Sequence, residues 1–161
     1  MALGCGLIIS LLGYVSDGQT YGTGYQEARH LVDGGEASVL FPLWKLLATL
    51  SSYLSGIPGG IFAPSLSVGA GLGADLAPLM PHLPAAALIM LGMVGYFSGV
   101  VQTPITAFVI VMEMTDNSGM LLPLMATALI ARGVSSLVCP VPIYEALAEA
   151  YMNKQTPKEE K

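Results

Sequence analysis

Apolar runs alternate with short polar interruptions along the whole chain. Residues 1 to 15 (MALGCGLIISLLGYV) are apolar throughout and read as the tail of a helix. SDGQTYGTG, residues 16 to 24, is a polar, glycine-rich loop. A short helix is predicted over Tyr25 to Val32 and is ended by DGGE at 33 to 36. Ala37 to Ser55 reads as a membrane helix with Lys45 as its only charge. SGIPGGIFAP, residues 55 to 64, then breaks the run with three glycines and two prolines. A helix restarts near Ile61 and runs to about Ala77, and PLMPHLP at 78 to 84 is a turn. Helices follow over Ala85 to Val101, from Thr103-Pro104 to Met114, over Met120 to Val138, and from Ile143 to about Asn153. TDNSG and CPVP interrupt the last three, and TPKEEK at the end is expected to be disordered.

Proline stands at or near the predicted start of several helices: Pro64, Pro84, Pro104, Pro123 and Pro142. It costs little there, because first-turn N–H groups have no intrahelical acceptor. The segments are therefore many, short and sharply restarted, the pattern of a transporter with discontinuous helices. Glycines spaced four apart at Gly56/Gly60, Gly69/Gly73 and Gly95/Gly99 permit close helix approach. Helix packing is the plain reading of the last two pairs.

Composition places these helices in lipid. Of the 161 residues, 11% are charged and 53% hydrophobic, against roughly 25% charged in an ordinary soluble domain. Mean hydropathy is +0.66. Leu46 to Ala74 and Leu76 to Met112 hold no charge, and a span needs about 20 apolar residues. The chain reads as an all-α, multi-pass membrane protein of short, tilted, discontinuous helices. Net charge is −5 with six scattered basic residues, which leaves no footprint for nucleic acid. Lys154, Lys158 and Lys161 place the C-terminus on the cytoplasmic side of a cell (inner or plasma) membrane. The chain starts inside an apolar segment with no basic residue before Arg29, unlike a signal peptide. Material upstream is therefore expected.

The break at 55 to 64 carries the candidate chemistry. A helix starting at Ile61 presents backbone donors without internal acceptors, and its dipole adds roughly half a positive charge at that end. Gly59 and Gly60 remove side chains that would shield those donors, and Pro64 sits in the first turn without losing a needed bond. Such a terminus at membrane depth is an anion site. No Lys or Arg lies between Lys45 and Arg132, so an anion would be held by partial charge alone and could leave again. The plain alternative is that PGG only joins two spans.

GGIFAP at 59 to 64, MEMTDN at 112 to 117 and PIYEAL at 142 to 147 together resemble the CLC family of chloride channels and proton–chloride antiporters, in the same order and at similar spacing. The resemblance implies that residues 1–153 are the C-terminal half of a CLC-type transmembrane domain, the second of two inverted repeats, with 154–161 a polar cytoplasmic tail. It implies that chloride is held by the amides of Ile61 and Phe62 and by the hydroxyl of Tyr144, with Gly59, Gly60 and Pro64 supporting the loop. A neutral O–H can bind chloride without trapping it, and a tyrosine there favours a chloride-type member over the family's fluoride exporters. It also suggests a homodimer whose interface draws on helices 104–114 and 120–138. A GREGP-like gating motif and a first-half GSGIP element are absent, so the missing N-terminal half is an expected partner beside chloride and the bilayer. Channel and exchanger cannot be told apart from this half.

Other candidates carry less. Glu113 is an acid inside an apolar helix, where a proton-relay role is the functional reading, but it lies one turn from Asp116 at the helix end. Asp75 is read as interfacial, Lys45 as snorkelling, and Cys5 and Cys139 as small buried side chains. His30 and His82 do not suggest a metal site. Residues 69 to 74 match G-x-G-x-x-A, but no strand precedes them and no acid follows at the ribose-binding distance. No enzyme, cofactor or metal is expected. The competing function is a membrane structural or assembly subunit without an ion site, in which protein groups cap the Ile61 and Phe62 amides.

Overall fold

The structure, a computed structural model, describes residues 2–35, 38–55 and 60–155. Glu36, Gly56 and Gly59 lie outside the described residues, as does the predicted disordered tail from Thr156 onward. The described residues form eight α-helices: α1 (Ala2–Val15), α2 (Tyr25–Val32), α3 (Phe41–Leu54), α4 (Phe62–Leu76), α5 (Ala85–Val101), α6 (Pro104–Thr115), α7 (Leu121–Val138) and α8 (Ile143–Gln155), with single 3-10 turns at Ala77–Leu79 and Ser118–Met120. All are short, as the restarts predict. Among the described residues, α7 alone is long and apolar enough to cross a membrane unaided, while α5, α6 and residues 4–15 are apolar but shorter.

Proline and glycine set the boundaries. Pro104 opens α6, Pro84 stands just before α5, and Pro64 and Pro123 sit in the first turns of α4 and α7. Pro42 does the same in α3, so that helix starts at Phe41 and leaves residues 38–40 of its predicted span outside it, Ala37 lying outside the described residues. Gln102 ends α5 in the left-handed conformation, with φ 58°.

The core lies where α5 crosses α4. Ile89, Met93, Val94 and Phe97 of α5 meet Leu66 and Ala70 of α4, joined by Phe41, Ala28 and Leu31. The two backbones touch at this crossing. A Cβ on Gly69 would fall 2.5 Å from the Gly92 carbonyl oxygen, and one on Gly73 would strike the Leu88 carbonyl. The Gly69/Gly73 pair thus packs as its spacing predicts. On its other side α5 meets α7, where Leu124 and Ala128 are buried. Much of α7 faces outward: Leu137 is 87% exposed, and Leu122, Ile130 and Val138 are also open.

The 16–24 loop folds over the far side of α4. Gly24, at φ 81°, lies against Ser67 and the stem of Lys45, so close that a Cβ would sit 2.5 Å from the Ser67 hydroxyl. Glycine meets both needs there, the positive φ and the missing side chain. Lys45 does not snorkel. It is 2% exposed, and its ammonium donates to the carbonyls of Thr20 at 2.9 Å and Gly22 at 3.0 Å. Turning inward satisfies two loop carbonyls that the helices leave without partners. The cysteines also differ from expectation: Cys139, the extended residue just past the α7 end, is exposed, and Cys5 on α1 is only half-buried.

Candidate anion site

The first turn of α4 begins as its sequence predicts. Ile61 is the residue before the helix, with helical φ −80° and ψ −23°, and its carbonyl accepts the Ser65 N–H at 3.0 Å. No side chain caps this end. The same is true of α3, α5, α6 and α7, so the missing cap alone does not distinguish α4. Among the described residues no acceptor is placed on the Ile61 or Phe62 amide. Ile61 itself is buried and Phe62 half-buried. The Phe62 ring stands edge-on to Phe97 at 4.4 Å between centroids, which ties the turn to the core.

What does distinguish α4 is its position between two hollows. One, of about 150 Å³, is lined by Ile61, Pro64 and Ser65 of α4, by Thr49 and Tyr53 of α3, by Tyr96 and Val100 of α5 and by Ile143 of α8. The other, of about 170 Å³, is more polar and lies between Gly60 and the 16–24 loop, with Lys45, Thr49, Ser52 and Tyr53 on its wall.

Ile143 opens α8, so the first residue of the last helix and the residue preceding α4 share one cavity although they are far apart in sequence. Tyr144 follows Ile143. It is 45% exposed. It is not one of the residues lining the 150 Å³ cavity. Gly60 is exposed beside the polar hollow, Pro64 borders both hollows, and Gly59 lies outside the described residues. Glu113 is exposed on α6, and Asp116 ends that helix.

Sequence reasoning missed Tyr53, Tyr96 and the inward Lys45. For Tyr53 a signal was available: a tyrosine in the last turn of an apolar helix, just ahead of the glycine–proline break. Nothing local marks Lys45, because its partners come from a loop more than twenty residues earlier.

Comparison with known proteins matches the chain to a family. The sequence model of the voltage gated chloride channel family covers residues 1–136, which takes in the α4 start and MEMTDN but stops short of Tyr144. The H(+)/Cl(-) exchange transporter ClcA of Klebsiella pneumoniae is 36% identical over 117 residues, 69% of this chain and 25% of its own length. ClcA of Yersinia pestis is 34% identical over the same number of residues, covering 24% of its length. The chain thus spans about a quarter of the length of these curated relatives. With most of its residues matched, and with short, proline-restarted helices, it is a membrane protein that belongs to the voltage gated chloride channel family.

Proposed function

We propose that this chain is the second half of the transmembrane domain of a CLC-type chloride transporter, a channel or a proton–chloride exchanger, and that it supplies part of the chloride site. The observation that carries the reading is the shared cavity of Ile61 and Ile143. It sets the α4 start beside the α8 start, the two segments that the motifs single out. In this reading the Ile61 and Phe62 amides donate to the anion, Gly59, Gly60 and Pro64 keep the approach open, and the Tyr144 hydroxyl completes the site from α8. Partial charges and a neutral hydroxyl hold chloride loosely enough for turnover. The buried ammonium of Lys45 is spent on loop carbonyls.

The complementary half supplies the remaining ligands and the gate, and transport requires both. No catalysis and no cofactor form part of this reading. The protein sits in a cell membrane with its C-terminus in the cytoplasm, residues 154–161 being a polar tail. Two copies pair through α6 and α7, a reading supported by the open apolar side chains of Ile105, Leu122 and Leu137.

The test is chloride flux from liposomes containing the protein in which this half is joined to its first half, with and without a proton gradient. Tyr144→Phe removes one hydrogen bond to the anion, worth about 1 kcal/mol, so chloride affinity by titration calorimetry should fall about fivefold. Unchanged affinity and unchanged coupling would remove Tyr144 from the site. If protein groups capped the amides in the joined protein, the competing structural-subunit reading would hold instead.

A further inference from the structure

We infer that Gln102 is a positioning residue for this site: its side-chain amide clasps the end of α7 and thereby fixes where α8 carries Tyr144. The inference rests on the chloride-site reading above. Gln102 ends α5 at φ 58° and ψ 24°. A non-glycine residue there is conformationally costly, and glycine would be the cheaper choice. What glycine lacks is the side chain. Gln102 Nε2 donates to the Cys139 carbonyl at 2.7 Å and lies 3.4 Å from the Ser135 hydroxyl. Ser135 in turn donates to the Gly99 carbonyl in the last turn of α5.

The α7 end needs such an outside donor. Its last carbonyls have no intrahelical partner. They are usually met by N–H groups of the residues that follow; the Cys139 N–H does reach the Ser135 carbonyl at 2.8 Å, but the residue after it is Pro140, which has no N–H, and Pro142 comes two further on. Cys139 is already extended, with φ −140°. Gln102 therefore brings to the Cys139 carbonyl, from the end of α5, a donor that the two prolines do not supply. Tyr144 lies just beyond this turn, and α8 rests on α5. A shift in the turn carries directly into the position of the tyrosine hydroxyl.

The experiment uses the two-half protein in liposomes and three variants: Gln102→Gly, Tyr144→Phe and the double. Gln102→Gly relieves the backbone and should leave the thermal midpoint in detergent unchanged or higher, while chloride affinity falls severalfold. Because Gln102 acts through Tyr144, the double variant should bind chloride no more weakly than Tyr144→Phe alone. Gln102→Arg keeps donors of similar reach and should restore affinity. Should the glycine variant fail to accumulate, Gln102→Glu, of the same shape with the donor replaced by an acceptor, carries the same expectation. A second readout uses the same joined protein with Cys139 as its only cysteine: maleimide should label it faster when Gln102 is glycine. An unchanged affinity in Gln102→Gly with a weakened Tyr144→Phe, additive losses in the double, or an unchanged labelling rate would each overturn the positioning role. If Tyr144→Phe itself has no effect, the chloride-site reading falls, and this inference falls with it.

Discussion

Helix α5 makes two crossings, and they are built on different physics. On the α4 side, glycine meets glycine and the backbones touch, with no side chain able to yield. On the α7 side, hydroxyls and an amide reach across to carbonyls: Ser98 donates to Ala128 at 2.7 Å, Ser135 to Gly99, and Gln102 to Cys139. The first crossing carries Ile61 and Phe62. The second leads into the turn that carries Tyr144. The proposed ligands are thus held by unlike means, the amides by close packing and the tyrosine by a few hydrogen bonds.

Substitutions can break this contrast in order of size. Gly73→Leu drives a side chain into the Leu88 carbonyl and Ile89 backbone. Overpacking against atoms that cannot move should cost about 3 kcal/mol or more, read as loss of the cooperative melting transition in detergent. Lys45→Met probes the same side of the molecule through polar contacts. It leaves the Thr20 and Gly22 carbonyls without their donor, a loss of about 1–3 kcal/mol. Amide hydrogen exchange over residues 20–28 should quicken while α7 is unaffected. Ser98→Ala, on the α7 side, removes one interhelical bond, for which roughly 0.6 kcal/mol is typical in membranes. Its midpoint should drop by the least of the three, and a loss as large as that of Gly73→Leu would erase the distinction between the crossings.

Much of the helix plan was legible because proline and glycine punctuate it. The limits of α2 and α5 follow directly from their flanking residues, and the Gly69/Gly73 spacing announced the α4–α5 contact. Pro42 was an overlooked instance of the same rule and moved the α3 start. The α4 start and its family signature were also legible. What the sequence did not disclose were arrangements that depend on distant backbone: Lys45 with loop carbonyls, Gln102 with the α7 end, and Tyr53 on one cavity with Ile143. A lone lysine in an apolar helix looks the same whether it reaches outward to water or inward to a carbonyl. Only the path of the loop decides, and no local spacing encodes that path. Exposure of Cys139 is a similar case, set by the direction in which α7 ends.

One consequence follows from the residues that border both hollows beside α4. Pro64, Thr49 and Tyr53 form a common partition between the apolar and the polar space. The proline ring in that wall has almost no torsional slack. A shift of this partition as a unit therefore trades volume from one side to the other, so that along this motion the two hollows cannot enlarge together.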